Sequence, residues 1–250
     1  MITCSLPEFR IDHTITKPLI RWTIGGNVSG DGMLCLKQSI ISWSRLYDES
    51  IDRVICHNGL NRQRLAYIES VAHSTKSAVL WQGWHAGSLP VPPSSTAWKL
   101  YPPRLRLSAP EIIIDNDLVI HNKHSAINDL LADNKPFISE ALTRSYGIYT
   151  SVVRSPRNMN SGFIGLPRHY DFQTELIKNL IGPWDNYFDE QGLVTTTIET
   201  IDPTIIPLSD ISVCITRYEP GLVGVHFVGL NKGDRRAWSK YRHRKGGKHV

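Results

Sequence analysis

The sequence lacks several features that would assign the protein to a class at once. No apolar run approaches the roughly 18 residues that a membrane-spanning helix needs, and the charged, proline-containing start does not resemble a secretory signal. Only four cysteines occur, and no two form a C-x-x-C pair. We therefore expect no disulfide framework and no zinc site, but reduced thiols in a cytoplasmic protein. These thiols belong to Cys4, Cys35, Cys56 and Cys214.

Charge is moderate in amount and uneven in position. Charged residues make up 20% and apolar residues 41% of the 250 residues, which excludes a largely disordered chain and allows one domain with a sizeable core. The net charge is +5, and the last sixteen residues contain seven lysines and arginines but no acid. We expect one folded domain over residues 1–233 and a basic tail over residues 234–250. Such a tail attracts polyanions, or it serves only solubility.

The first third of the chain alternates two kinds of pattern. Short apolar runs closed by turn signals predict strands within residues 18–27, 52–59 and 77–83. Apolar residues at helical spacing predict helices over 33–47 and 61–73. Strand, helix, strand, helix, strand is the order of an α/β layer with parallel strands.

The stretch "APEIIIDNDLVI" (109–120) places Asp115 and Asp117 between two apolar runs. The apolar sequence fits a central parallel strand that is covered on both faces. Ligands bind beyond the carboxyl ends of such strands, and hard carboxylate oxygens suit Mg²⁺ or Mn²⁺. An exposed turn, in which the aspartates accept backbone N–H groups, explains the same pattern without a metal.

Two later segments add weaker signals. "DFQTELIKNLIG" predicts a helix that is capped by Asp171 and ended by Gly182. "HFVGLNKG" follows an apolar run and combines His226, Gly229 and Lys232. A single histidine there is usually a core residue, but glycine permits close approach of a ligand and lysine offers a charge for phosphate.

Five segments together resemble a known family, in the order in which they occur. They are "WTIGGN", "WKLYPPRLRLSAPEIIIDND", "MNSGFIGL", "FDEQGLV" and "HFVGLNKG", and they span most of residues 20–233. The chain resembles metal-dependent glycosyltransferases of the GT-A fold, family 8, which includes glycogenin and bacterial lipopolysaccharide galactosyltransferases. Only the last segment is specific by itself; the others gain weight from their order and spacing.

The resemblance implies a fold and an activity. The fold is a single α/β domain with a mixed, mostly parallel central sheet flanked by helices and a nucleotide-binding N-terminal half. The activity is transfer of a sugar, with retention of configuration, from a nucleotide-sugar donor such as a UDP-sugar to a hydroxyl acceptor. The cofactor is Mn²⁺ or Mg²⁺.

The resemblance also implies roles for single residues. Asp115, Asp117 and His226 would hold the divalent ion, and Gly229 and Lys232 would contact the donor phosphates. Lys99 would lie near the donor sugar or the phosphates. The sugar pocket would contain Asn160, Ser161 and Gly162.

Two places depart from the family pattern. The first loop offers Gly25, Gly26 and Asn27 where the family often has an aspartate, so recognition of uridine stays open. The family's Asp-Gln-Asp segment reads Asp189, Glu190 and Gln191 here. We expect Asp189 and Glu190 in the catalytic segment, with Glu190 as a nucleophile, a contact to a donor hydroxyl or a surface acid.

The acceptor is the least defined partner. The basic tail suits an anionic acceptor, either a membrane-associated glycan or DNA whose pyrimidines carry a hydroxymethyl group. Two other functions remain open. A non-catalytic nucleic-acid-binding protein would use the tail alone, whereas a metal-dependent nuclease or phosphotransferase would leave "HFVGLNKG" unexplained.

Overall fold

A computed structural model describes the chain in seven stretches: residues 11–25, 28–47, 49–81, 97–100, 104–184, 186–230 and 234–246. Three of the expected site residues, Gly26, Asn27 and Lys232, lie outside these stretches.

The N-terminal part alternates strands and helices as predicted. Both helices begin at a polar cap: Ser29 accepts from the Gly32 N–H, and Asn61 accepts from the Arg64 N–H, at 2.9 Å each. The elements are β1 (Leu19–Gly25), α1 (Gly30–Leu46), β2 (Asp52–Asn58), α2 (Arg62–Ser74) and β3 (Ala78–Trp81).

The remaining part is less regular and contains shorter elements. Short 3-10 turns occur at Ala97–Leu100, Gly147–Ser151 and Glu199–Ile201. The strands and helices are β4 (Glu111–Ile114), β5 (Leu118–Ile120), α3 (Ser125–Asp133), β6 (Phe137–Glu140), β7 (Met159–Leu166), α4 (Phe172–Lys178), α5 (Phe188–Ile198), β8 (Thr204–Ile206), β9 (Ile211–Val213), β10 (Gly224–His226) and α6 (Arg236–Gly246).

A seven-stranded sheet forms the centre of the fold, in the order β3-β2-β1-β4-β7-β6-β8. Only the two pairings of β7, with β4 and with β6, are antiparallel. The sheet carries the main core, in which Trp22, Trp43 and Phe163 are fully buried. The expectation of a mixed, mostly parallel sheet flanked by helices is confirmed.

The apolar sequence 109–120 is divided between two sheets rather than forming one strand. β4 lies between β1 and β7 in the central sheet, whereas β5 joins a three-stranded sheet of order β5-β10-β9. Between them the chain turns, and the Leu118 N–H donates to the Asp115 carbonyl at 3.3 Å. The strand prediction is right for β4, and the two aspartates occupy the turn that leads out of its sheet.

Helix α4 begins as predicted and ends earlier. Asp171 caps it and accepts from the Thr174 N–H at 3.2 Å. The helix ends at Lys178, not at Gly182. Asn179 accounts for the earlier end. Its backbone N–H and its side-chain amide both donate to the Glu175 carbonyl in the last turn of the helix, and the bond from the side-chain amide is 2.8 Å long.

The basic C-terminal segment is helical where the structure describes it. In α6, Trp238 and Tyr241 are buried against Phe227, with ring centroids 5.1 and 5.2 Å away. The division of the chain into residues 1–233 and 234–250 stays a prediction.

Two further expectations concern the whole chain. In the stretches that the structure describes, no helix combines the length and apolar character needed to cross a bilayer. Cys35, Cys56 and Cys214 are buried free thiols, as expected, and Cys4 lies outside the described residues.

Candidate active site

The turn after β4 lies at the carboxyl edge of the parallel strands. The Asp115 N–H donates to the Gly162 carbonyl of β7 at 2.8 Å, which ties the turn to the central sheet. Asn116 donates from Nδ2 to the Gly32 carbonyl of α1 at 3.2 Å. Sequence reasoning gave Asn116 no role in the site, although its position between the two acids was the available signal.

Strand pairing brings His226 to these two acids. In the antiparallel β5–β10 pair, His226 lies opposite Leu118, and the Phe227 N–H donates to the Asp117 carbonyl at 2.8 Å. His226 Nε2 is 3.1 Å from Asp117 Oδ1 and 3.8 Å from Asp115 Oδ2. One ligand atom from each of the three side chains lies within 4.8 Å of the other two.

Gly162 makes room for this arrangement. A Cβ atom at this position would overlap Cε1 of His226, and it would come within 2.8 Å of Asp115 Oδ2 and of Asn160 Oδ1. The sequence therefore needs glycine here because the imidazole and a carboxylate press against the β7 backbone. Asn160 Oδ1 in turn accepts from the Gly162 N–H at 2.7 Å.

The charges around the cluster favour a bound cation. Burial alone would lower the pKa of His226, but its hydrogen bond to Asp117 and the negative charges of Asp117 and Asp115 raise that pKa above its usual range. Among the described residues, Asp115, Asp117 and Glu190 contribute three carboxylates, and Lys99 contributes one positive charge. With all three carboxylates ionised and the imidazole neutral, which are the forms that bind a metal, the excess would be two negative charges, and a divalent ion would balance it. Two carboxylates and an imidazole are also donors that Mn²⁺ accepts.

Lys99 links the two acidic parts of the site. Its Nζ lies 3.0 Å from Asp115 Oδ1, 3.1 Å from Ser161 Oγ and 3.3 Å from Glu190 Oε1. Burial would lower the pKa of Lys99, but the charges and hydrogen bonds of Asp115 and Glu190 outweigh burial and raise it. The lysine is therefore a fixed positive charge inside the site.

Glu190 is a buried acid in the first turn of α5, so it is not the surface acid that the sequence left open. Burial raises its pKa, and the neighbouring Asp115 charge adds to that effect, while Lys99 and Ser161 offset part of it. Its carboxyl group belongs to the same cluster through Lys99.

Asp189 is used differently from its neighbour. It is fully buried, and its Oδ1 accepts from the Ile148 N–H while Oδ2 accepts from the Asn186 N–H, both at 2.9 Å. A Cβ on Gly147 would collide with this carboxylate, and the φ angle of Gly147 is positive. Both observations explain why glycine occupies this position. These contacts hold the start of α5 next to Glu190, and a catalytic role for Asp189 stays a prediction.

The other expected residues lie around the cluster or outside the described part. Gly25 ends β1 opposite Asn58, at the same edge of the sheet. Gly229 follows His226 in a turn with φ +88°, a conformation that favours glycine. Gly26, Asn27 and Lys232 are outside the described residues.

Comparison with known proteins finds relatives in structure only. No protein-family model and no curated protein sequence matches the chain. The apo structure of the bifunctional glycosyltransferase WbbM is similar with a TM-score of 0.57 at 15% identity, over 80% of this chain and 40% of WbbM. The galactosyltransferase LgtC, bound to donor and acceptor sugar analogues, gives 0.53 at 14% identity, over 93% of this chain and 96% of LgtC. Mouse xyloside xylosyltransferase 1 gives 0.57 at 11% identity, over 87% and 99%.

The chain thus spans less than half of WbbM and nearly all of the other two enzymes. At these identities the likeness establishes the fold alone. It agrees with the sheet order described above and with the resemblance drawn from the sequence segments. The chain has the GT-A glycosyltransferase fold.

Proposed function

We propose that this protein is a metal-dependent glycosyltransferase that moves a sugar from a nucleotide-sugar donor to a hydroxyl group of an acceptor. The observation that carries the proposal is the convergence of Asp115, Asp117 and His226 from two different sheets at the carboxyl edge of the central one. In α/β sheets of this kind, ligands bind at that edge.

In this proposal the three side chains hold Mn²⁺ or Mg²⁺. The bound ion supplies positive charge for the diphosphate that leaves with the nucleotide. The support comes from the donor set and from the three carboxylates gathered around a single lysine. Because the turn is tied to β7 and α1 by hydrogen bonds, the ligands are held in position before any donor arrives.

Lys99 has two tasks in the proposed reaction. Its contacts with Asp115 and Glu190 keep both carboxylates in place and join the metal ligands to the sugar pocket. Its charge is also proposed to contact the donor sugar or a donor phosphate. A lysine in a buried site is a stronger electrostatic partner than one in water, because the local dielectric constant is lower.

The sugar pocket is proposed around Asn160, Ser161, Gly162 and Glu190. The support is that Ser161 and Glu190 both contact Lys99, which joins them to the metal-ligand candidate Asp115. The reaction is proposed to retain configuration. Glu190 acts either as the nucleophile or as a contact to a donor hydroxyl, and Asp189 positions it by holding the start of α5.

For the nucleotide we propose UDP. The base would bind near Gly25, Gly26 and Asn27, at the end of β1, and the phosphates would bind near Gly229 and Lys232. The positive φ of Gly229 supports the second part, because it allows the backbone to turn sharply three residues after His226.

The test is hydrolysis of UDP-sugars in the absence of acceptor, with Mn²⁺ or with EDTA, on wild type and on Asp117→Asn. We expect metal-dependent release of UDP from the wild type. We expect a fall of about 100-fold or more in kcat/KM in the variant, as for loss of one charge-stabilising group in an active site. Asp133→Asn, which changes an exposed acid at the end of α3, serves as the matched control and retains activity.

Two results would contradict the proposal. UDP release that is equally fast with EDTA would show that the reaction needs no metal. Unchanged release by Asp117→Asn would show that Asp117 is not a metal ligand. Metal-dependent cleavage of nucleic acid without any UDP release would favour the nuclease that the sequence left open.

A further inference from the structure

Helix α6 presents a strongly basic face to solvent. In the part of the chain that the structure describes, its segment carries five exposed cations, and none of the described side chains that α6 exposes is apolar. Two acids lie against this segment: Asp234 pairs with Arg236 at 3.0 Å, and Asp31 of α1 contacts two of the arginines. Five cations and two acids leave a surplus of three positive charges. The cations are Arg235, Arg236, Lys240, Arg242 and Arg244.

The apolar face of α6 is fully used inside the protein. Ala237, Trp238 and Tyr241 are all buried, in one cluster with Phe227 and Leu230. The two aromatic residues of α6 stack with ring centroids 5.4 Å apart. The basic face is therefore held rigidly, rather than carried on a free tail.

The same packing fixes α6 next to the candidate active site. Phe227, which contacts Trp238, directly follows the metal-ligand candidate His226. On the other side, Trp238 Nε1 donates to Asp31 at 3.2 Å and Arg235 pairs with Asp31 at 2.9 Å. Asp31 precedes Gly32, whose carbonyl holds the turn between the two acids.

From these observations we infer that α6 is a docking surface for the phosphodiester backbone of a nucleic acid. Insertion among the acyl chains of a bilayer would need the apolar face of α6, and this face is buried in the protein. Adsorption of the basic face to anionic headgroups is the alternative that a vesicle measurement tests. What remains outside is a row of lysine and arginine side chains, which is the complement of a line of phosphates. Duplex DNA and duplex RNA offer that same chemistry.

The inference deepens the proposed function and rests on it in one respect. If the protein transfers sugar, the docked nucleic acid is the acceptor, because α6 is attached through residues that adjoin the metal ligands. The reacting group would be a hydroxyl on a nucleotide that leaves the base stack. Binding of the backbone itself requires neither metal nor donor, so the two proposals can fail separately.

The experiment measures binding of fluorescent 20-base-pair DNA and RNA duplexes by anisotropy, in EDTA and without a nucleotide sugar, between 50 and 200 mM salt. With about three phosphate contacts, log K should fall with log salt at a slope of about −2.7, which is a loss of roughly 40-fold over this range. Lys240→Glu/Arg244→Glu should weaken binding at least about 10-fold at 100 mM salt and reduce the slope by about 2.

The matched control is Arg62→Glu/Arg168→Glu, which makes the same change in net charge on exposed residues elsewhere. It should bind within about twofold of wild type, because the effect depends on position and not on total charge. Circular dichroism and the thermal midpoint establish that both double variants are folded. Preference for either duplex identifies which nucleic acid supplies the backbone.

Three outcomes would overturn the inference. One is absence of duplex binding by the wild type at 50 mM salt. Another is an equal loss of binding in the control variant, which would indicate a general charge effect. The third is tighter binding to phosphatidylglycerol vesicles than to either duplex at equal accessible phosphate, which would indicate a membrane surface instead.

Discussion

Strand β4 carries a buried cluster of charges at each end, and the two clusters are built on different principles. At its start, Glu111 is fully buried, with Arg21 Nε at 2.8 Å, the Leu105 N–H at 3.0 Å and Arg104 Nε at 3.4 Å. Just beyond its end, Asp115 remains 28% exposed and shares Lys99 with Glu190. The first cluster is closed, and the second is open.

The difference lies in how completely the charged groups are enclosed by partners. In the closed cluster, one carboxylate faces two guanidinium groups, and Arg104 also donates to four backbone carbonyls, of Pro167, Tyr170, Arg106 and Ala109. The open cluster has more carboxylates than cations and one side toward solvent. A closed cluster contributes to the structure, whereas an open cluster is able to bind a cation that balances its carboxylates.

The largest effect expected is on the closed cluster. Glu111→Gln keeps the shape of the side chain but removes the carboxylate that faces both buried guanidinium groups. Breaking a buried pair from one side costs about 3–5 kcal/mol, so we expect the free energy of unfolding to fall by that amount in urea denaturation.

The control for this prediction is Glu175→Gln, which removes the partly exposed partner of Lys178 on α4. Surface pairs contribute about 0–1 kcal/mol, so its unfolding curve should nearly overlay that of the wild type. If both variants lose equally little stability, the closed cluster does not stabilise the fold, and the proposed difference between the two clusters is wrong.

The open cluster should respond to metal instead. With Mn²⁺ at about 100 times its Kd, binding to the folded state alone should raise the free energy of unfolding by about 2.7 kcal/mol. His226→Gln should lose most of this gain while remaining folded in EDTA. Denaturation with and without Mn²⁺ measures both values, and a gain that survives in the variant would contradict the ligand assignment.

A smaller effect should follow from changing the shape of the open cluster without changing its charge. Gly162→Ala places a Cβ against His226 and Asp115, so one of them has to move. We expect Mn²⁺ affinity, measured by calorimetry, to fall about 10-fold, as for disturbance of a supporting group. Gly30→Ala, where an added Cβ meets nothing within 4 Å, should bind as the wild type does. Equal Mn²⁺ affinities in both variants would mean that the ion site does not need the space that Gly162 leaves for His226 and Asp115.

Sequence reasoning found the open cluster and overlooked the closed one, and the reason is physical. Two acids beside an apolar run are conspicuous because burying them is costly, and a family resemblance added His226. Arg21 lies within an apolar strand and attracts no notice, since the sequence does not indicate that Glu111 will lie beside it. Pairing across parallel strands is a long-range property.

The same limit applies to the fold. The alternation from β1 to β3 follows from local periodicity, and it was predicted. The division of the Asp115 region between two sheets was not, because it depends on β5 pairing with β10. That pairing joins Asp117 to a histidine 109 residues away, and no local pattern encodes it. The backbone N–H of Ile148, which donates to Asp189 from 41 residues away, is a contact of the same kind.

The smallest expected effect is the pH dependence of stability that Glu190 contributes in the open cluster. Burial raises the pKa of Glu190 in the folded state, so the folded protein binds a proton more tightly than the unfolded chain does. The contribution of Glu190 to the stability of the metal-free wild type is therefore lost as pH rises from about 4 through the raised pKa.

Glu190→Gln removes that titration. Across this pH window the free energy of unfolding of the variant should therefore rise relative to that of the wild type, and at higher pH the difference should stay constant. Urea denaturation in EDTA at a series of pH values gives both curves. Glu219→Gln, an exposed acid after β9, should show no such gain. A constant offset between wild type and Glu190→Gln at every pH would mean that Lys99 compensates Glu190 completely. The cluster would then be as closed as the one around Glu111, and the reason for expecting a ligand at this end of β4 would weaken.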